Sequence, residues 1–256
     1  FGLMSGSFTH PYNMRGGILR KNIESFTNEI DLKTGIFKEN VDGIVQTINK
    51  FRIVDFNMDQ SYQYNDGWLT TESMSKSNSK FPDWGNPLAE MMYETLRYFS
   101  GKTTATTDFT PTPTDGKERV TLRDYSGSST MDLPMPSWQD PYLKKDTLYC
   151  SPAAQLLISD VNPSFDTEYV PGSAWGSFSG DISGLNVKNE ADAIWTAEHG
   201  SGSSMHFIGQ VGDNYDGAPT AKSVSGLGSI RGLSPAEPTK QGGYYSAGIA
   251  RYGFLN

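Results

Sequence analysis

The sequence predicts an α/β fold, a wound and mostly parallel sheet with helices on both faces and long loops thrown out from one edge. Three observations carry this expectation. First, Gln155-Leu156-Leu157-Ile158-Ser159-Asp160 is a short apolar run with no polar alternation, ending in a carboxylate and then Val161-Asn162-Pro163. Such a run reads as a strand buried on both faces, as in a parallel sheet covered by helices. Second, two upstream segments have helical apolar stripes. Third, the stretch after residue 160 runs loop, helix, strand, the order of a wound sheet. Asp160 then sits at the strand's carboxyl end, the edge where open α/β sheets bind ligands and metals. The same residue also fits the cap of the turn that follows.

Taken in order, Val41, Ile44, Val45, Ile48 and Phe51 recur at helical spacing and predict the first helix. The second opens at Asn86-Pro87, an N-cap followed by proline where a missing N–H costs nothing. Leu88, Met91, Met92, Leu96 and Phe99 line one face as expected core, and Gly101 ends the helix. A third helix is expected from about Asn189 to His199, with Ala191, Ile194, Trp195 and Glu198 on one side, followed by a strand over Met205-His206-Phe207-Ile208-Gly209. Ser234-Pro235-Ala236-Glu237 has the pattern of a capping box cut short by Pro238. Tyr245, Ile249 and Tyr252 give a last helical face before Gly253. One domain over 1–256 is expected, with insertions at about 57–83 and 102–154 whose aromatics, among them Tyr62, Trp68, Trp138 and Tyr142, pack rather than float.

Composition narrows the function. A formal charge of -8 and no run of Lys or Arg argue against a nucleic-acid partner. Only 20% of residues are charged, against 27 Gly and 14 Pro, a mix that suits a loop-rich extracellular protein. The single Cys150 allows no internal disulfide. No apolar stretch is long enough to span a bilayer. The opening Phe1-Gly2-Leu3-Met4 lacks an initiator Met, so a fragment or processed product is expected, with the sheet continuing past Asn256.

Several phrases together carry a family resemblance: Phe1-Gly2-Leu3-Met4, Gly16-Gly17-Ile18-Leu19-Arg20-Lys21-Asn22-Ile23, Trp84-Gly85-Asn86-Pro87-Leu88-Ala89-Glu90-Met91-Met92-Tyr93-Glu94, Leu96-Arg97-Tyr98-Phe99, Leu156 through Asp166, and Glu237 through Tyr245. In this order the chain resembles the PilY/PilC-type proteins of bacterial type IV pili over nearly its whole length. The resemblance implies a von Willebrand factor A-like domain with large insertions, N-terminal to a β-propeller, with its first strand upstream of Phe1. It implies a protein at the pilus tip or outer cell surface, acting in adhesion and in pilus assembly and retraction. Pilin or minor pilin subunits, a host or abiotic surface receptor, and the rest of the parent protein are the implied partners. It further implies a divalent cation, Mg²⁺ or Ca²⁺, on hard oxygen ligands. Asp160 matches the Asp after the fourth strand of such domains, and Asn86 stands where their Thr ligand would be.

Other constellations are weaker. Asp124-Tyr125-Ser126-Gly127-Ser128 is a literal D-x-S-x-S, but it falls in the expected insertion. Asp160, Asn162, Ser164 and Asp166 alternate like the start of a calcium loop, yet Phe165 replaces the required Gly and Pro171 the bidentate Glu. Asp213-Asn214-Tyr215-Asp216-Gly217 reads as a turn. His10, His199 and His206 lack zinc spacing. Ser73-x-x-Lys76 and Ser77-x-x-Lys80 have no partner motifs. The expectation is a non-enzymatic adhesion and interaction module. The alternative is a secreted carbohydrate-binding or glycan-active protein using paired carboxylates and Trp-rich loops, with acids such as Asp140 or Asp181 beside Trp138 or Trp175.

Overall fold

The computed structural model describes residues 1–9, 11–51, 85–124, 127–143, 151–159, 162–233 and 241–256. The chain divides into two compact units. The first comprises Phe1–Asn13, Ile18–Trp84 and Tyr98–Ala153, the second Met14–Gly17, Gly85–Arg97 and Ala154–Asn256.

In the first unit β1 (Leu3–Ser5) pairs antiparallel with β2 (Ile18–Lys21), and α1 spans Ile44–Lys50. A hairpin follows, β3 (Lys117–Asp124) against β4 (Gly127–Pro134). Its inward side chains Val120, Met131 and Leu133 form an apolar cluster onto which Phe8 and Phe51 pack, their rings stacked 5.7 Å apart. Each such buried side chain stabilises by about 1.5–3 kcal/mol. Helix α1 is only seven residues long and its N-cap Gly43 offers no side chain. Buried Glu29 supplies the missing acceptor, taking the Val45 N–H at 3.2 Å and placing its carboxylate at the helix N-terminus. A Cβ on Gly43 would lie 2.3 Å from the Glu29 carboxyl carbon, so a side chain here would have to displace this acceptor. The expected α1 stripe is corrected here: Thr47 is buried and Ile48 is exposed, because the covered face is the one that meets β2 and β4.

The first unit is tied together by a buried ion pair. Arg20 on β2 donates through Nη2 to Glu118 Oε2 on β3 at 2.6 Å, and further to Ser5 Oγ (2.8 Å), Gly6 O (2.9 Å) and Pro134 O (3.2 Å). Glu118 Oε1 accepts from Ser7 Oγ (2.5 Å) and Phe8 N (2.8 Å). Burial pushes the Glu118 carboxyl up, but Arg20 and Ser7 outweigh it and hold it below the usual range. A depressed carboxylate contributes stability above its unfolded value and loses it as pH falls. Acid should therefore loosen this unit. Urea unfolding followed by hydrogen exchange in β1–β4 should show lower stability at pH 3 than at pH 6, and equal values would refute the assignment.

In the second unit α2 (Leu88–Phe99) starts the fold and leaves the unit after Arg97. Helix α3 (Val187–His199) carries Asn186 as N-cap, whose side chain accepts from Asn189 N. It lies over a three-stranded antiparallel sheet ordered β6 (Asn214–Val224), β5 (Ser204–Val211), β7 (Ile230–Leu233). Trp195 packs with Ile208, Val224 and Ile230 in this layer. Helix α4 (Tyr245–Leu255) crosses α3 closely: a Cβ on Gly248 would lie 2.8 Å from Val187 O.

The chain is thus mixed α and β, but the wound sheet is corrected: every strand pair among the described residues is antiparallel, in three small sheets. The expected strand at Leu156–Ile158 is corrected as well. Residues 152–159 join no sheet, and Leu156 and Ile158 are 85% and 86% exposed. An apolar run declares a need for burial, not the partner that meets it, and no strand among the described residues flanks this one. The α2 stripe also differs from expectation. Leu88 is buried, whereas Met91, Met92, Leu96 and Phe99 are only half-buried, and the fully covered face carries Glu90, Tyr93, Glu94 and Arg97. Charge can sit there because it is paired: Arg97 binds Glu94 at 3.2 Å and forks onto Asp181 at 2.7 and 3.0 Å.

The third helix, the strand through Met205–Gly209 and the last helix form where periodicity places them, although α4 runs through Gly253. The insertion at 57–83 and the capping box at 234–237 lie outside the described residues. The stretch 102–154 holds a short 3-10 turn at Thr107–Phe109 and the β3–β4 hairpin.

Candidate functional site

The densest polar construction of the second unit is built around the first turns of α2. Four orphan N–H groups at a helix start need acceptors, and the loop 162–169 brings them. Ser164 and Asn86 bind reciprocally: Asn86 N donates to Ser164 Oγ at 2.8 Å, and Ser164 N donates to Asn86 O at 2.9 Å. Asp166 Oδ1 accepts from Gly243 N at 2.9 Å, and the N–H of Ala89, inside α2, also points at this carboxylate. The loop is held in this shape partly by Phe165, which adopts φ +54. One turn on, Glu90 accepts from Gly16 N (2.7 Å) and Tyr169 N (3.1 Å). Gly16 makes its approach at φ +47, a conformation natural to glycine.

Both carboxyls are fully buried. Desolvation pushes Asp166 up to about 7 despite the N–H groups that favour its anion, and its Oδ2 has no hydrogen-bond partner. Burial likewise raises Glu90 well above the ordinary range, with the nearby charges of Asp166 and Glu168 adding to it. A raised carboxyl stabilises the fold fully below its unfolded value, and that stability is lost as pH rises through the folded one. For Asp166 the window runs from about 3.8 to about 7. Between pH 5 and 8 the second unit should therefore lose about 2–4 kcal/mol through this residue. In Asp166→Asn the slope should shrink to the share of Glu90, measured by denaturant unfolding followed by hydrogen exchange in α2 and α4. A slope equal to wild type would refute the account.

Of the residues singled out as cation ligands, Asp160 lies outside the described residues and Asn86 is resolved as a loop clasp. Its Nδ2 donates to Ser159 Oγ (2.8 Å) and Asn162 O (2.8 Å), and its Oδ1 accepts from Ser159 (3.0 Å). These bonds tie the Asn86 carboxamide to the loop on either side of position 160. Among the described residues no three His, Cys, Asp or Glu side chains gather as a metal site. Of the D-x-S-x-S motif, Asp124 on β3 pairs with Gly127 on β4, and Tyr125 and Ser126 lie outside the described residues. In the calcium-like alternation, Ser164 and Asp166 serve α2 as above. Asp213 stands in the tight β5–β6 turn.

The remaining candidates are held by packing. His199 and His206 flank the Trp195 ring at centroid distances of 4.3 and 5.8 Å, and His206 Nε2 lies 2.7 Å from Ser204 Oγ. Beside them is a cleft of about 250 Å³ lined by Trp195, His206, Phe207, Val224, Leu227 and Tyr244. Trp138 meets Tyr98 edge-on at 5.4 Å, and Asp140 Oδ1 accepts from Tyr142 N at 2.8 Å. Trp175 lies under the Arg231 guanidinium at 4.4 Å. Glu90 was legible only as part of a phrase. Its spacing with Glu94 and Arg97, at i, i+4 and i+7, marks one helical face and was the available signal.

Comparison with known proteins agrees with this reading at the level of family. No solved structure matches the chain. A type IV pilus biogenesis factor PilY1 homolog from Xylella fastidiosa (strain Temecula1) is 42% identical over 275 residues, covering 99% of this chain and 17% of the relative. The chain therefore spans about a sixth of the length of that protein. The profile of the family described as "PilY1 homolog, second domain" matches residues 1–253. By both measures the chain belongs to the PilY1-homolog family, in the region of its second domain.

Proposed function

We propose that this chain is a non-enzymatic adhesion and interaction module of a type IV pilus tip-associated protein, working outside the cell in surface attachment and in pilus assembly or retraction. The observation that carries the proposal is the 42% identity, over nearly the whole chain, to a relative named as a type IV pilus biogenesis factor. Pilin or minor pilin subunits, a surface receptor and the rest of the parent polypeptide are the partners this reading names. The von Willebrand factor A-like description belongs to the same proposal. Support for a non-enzymatic role comes from the acids named for glycan chemistry. Asp181 is spent on Arg97 and Tyr93, and Asp140 on the turn at Tyr142.

Deleting the codons for residues 1–256 from the parent gene, in a piliated host that makes this protein, should reduce surface pili and attachment at least tenfold while the shortened protein is still detected. Wild-type pilus numbers and attachment in that strain would refute the proposal. The divalent cation at Asp160 is a separable part of it. Magnesium or calcium titrated into the parent protein should give a binding isotherm that Asp160→Ala removes, and indistinguishable isotherms would eliminate the cation while leaving the pilus role standing.

A further inference from the structure

The sheet of the second unit has a polar row on its outer side. Val211 and Ile230 pack with Trp195 under α3, so their chain neighbours Gln210 and Arg231 point to the opposite face. Register sets three residues abreast on that face, Tyr215 on β6, Gln210 on β5 and Arg231 on β7. Gln210 Oε1 accepts from Arg231 Nε at 2.8 Å, and its Nε2 donates to Gly212 O at 2.9 Å. Tyr215 is 54% exposed and stands two strand spacings, about 10 Å, from Arg231.

The loop 167–176 folds onto this row. Ser173 Oγ donates to Thr167 O and accepts from Trp175 N, and Gly176 passes so close to Glu168 that a Cβ there would lie 2.1 Å from the Glu168 carbonyl oxygen. Glu168 and Trp175 are thereby carried to Arg231 together. The guanidinium stacks on the indole at 4.4 Å, and Glu168 Oε1 stands 3.6 Å from Nη1, too far for a hydrogen bond. Arg231 Nη1 and Trp175 Nε1 are buried donors with no hydrogen-bond partner among the described residues. Such donors carry a desolvation penalty that an incoming acceptor removes. The Glu168 side chain beside them is 44% exposed and can turn to admit a group between itself and Nη1.

We infer that this row binds a neutral saccharide. The entering group must accept from Nη1 and Nε1 while facing a carboxylate. A ligand carboxylate or phosphate would meet the donors but be repelled by Glu168, on a chain whose formal charge is already -8. An ammonium offers no acceptor and is repelled by Arg231. A hydroxyl does both, accepting from the two nitrogens and donating to Glu168 Oε1. Arg231 is already held by Trp175 and Gln210, so little side-chain freedom is lost on binding. One sugar ring does not reach from Arg231 to the exposed ring of Tyr215, but two linked rings do, so the ligand is an oligosaccharide. The inference concerns binding alone and does not depend on the pilus role.

The test is a printed array of the cellobiose, maltose and lactose series, uronate and sialylated glycans, and polyglutamate, probed with the purified full-length parent protein and followed by titration of the strongest ligand. A neutral oligosaccharide should bind best. Trp175→Phe, which keeps a ring under Arg231 but removes the N–H, should weaken that binding at least about tenfold. Tyr215→Ala, at an exposed site, should weaken it about threefold or more with Tm unchanged. Glu168→Ala should turn the preference toward acidic glycans. Absence of neutral-glycan binding overturns the inference. So does wild-type preference for acidic glycans or polyglutamate, which would make the row an anion site. Binding undiminished in Trp175→Phe or in Tyr215→Ala places the ligand elsewhere in the parent and overturns it as well, and a preference unmoved by Glu168→Ala overturns the assigned ligand class.

Discussion

Arg20→Ala should destabilise the first unit by about 3–5 kcal/mol, the usual effect of removing one partner of a buried ion pair. The geometry explains why this single change acts so widely. Arg20 contacts four groups, on β3, at the end of β4 and along the chain leaving β1, and its side chain is fully buried. Truncation leaves Glu118 charged and desolvated, with Ser7 Oγ, Phe8 N and the Thr9 side chain as its remaining donors. It also leaves the carbonyls of Gly6 and Pro134 without this donor. Arg20→Lys should recover only part of the loss, because one ammonium cannot reproduce a planar fork directed at acceptors on different elements. The decisive measurement is a double-mutant cycle. Arg20→Ala with Glu118→Ala should cost clearly less than the sum of the single changes, since the second removes the stranded charge. Additive losses would mean that the pair is not coupled and that the effect is one of packing alone.

This pair also shows what local sequence patterns do not carry. Arg20 and Glu118 are 98 positions apart, and no periodicity links them. By contrast α3 was legible from the spacing of Ala191, Ile194, Trp195 and Glu198, of which Ala191 and Trp195 are buried, and the strand over Met205–Gly209 falls within β5. Helix α2 was legible as a helix but not in its orientation. Its apolar residues marked one face, whereas the covered face is the one whose charges find partners in Gly16, Tyr169 and Asp181. Those partners come from segments remote in sequence. The Leu156–Ile158 run was legible as a segment demanding burial, and among the described residues no strand pairs with it. For the site, Asn86 was marked as a helix cap, but its side chain clasps Ser159 and Asn162 while the Ala89 N–H turns to Asp166. The weight given to it as a cation ligand came from the family resemblance, whose other elements the described residues do not contain.

Glu90→Ala should be the most damaging single change in the second unit, costing about 2–5 kcal/mol. Two backbone donors, Gly16 N and Tyr169 N, end on its carboxyl at 2.7 and 3.1 Å, and Glu90 is completely buried. Removing the acceptor leaves each N–H with its desolvation penalty, about 1–3 kcal/mol apiece. The lost side-chain volume adds a cavity that a helix packed on this face cannot collapse to fill. One compensation works in the opposite direction: burial disfavours the anion, so deleting it relieves part of the cost of a charged group above neutral pH. The loss should therefore be larger at pH 5 than at pH 8, the reverse of what a simple surface-accessible carboxylate would give. Glu90→Gln tests which factor dominates. Its amide oxygen can accept one of the two N–H groups, but its NH₂ meets the other donor head-on, so it should recover little of the loss. Full recovery by glutamine would show that only one of the two hydrogen bonds matters and that the carboxyl bridges nothing.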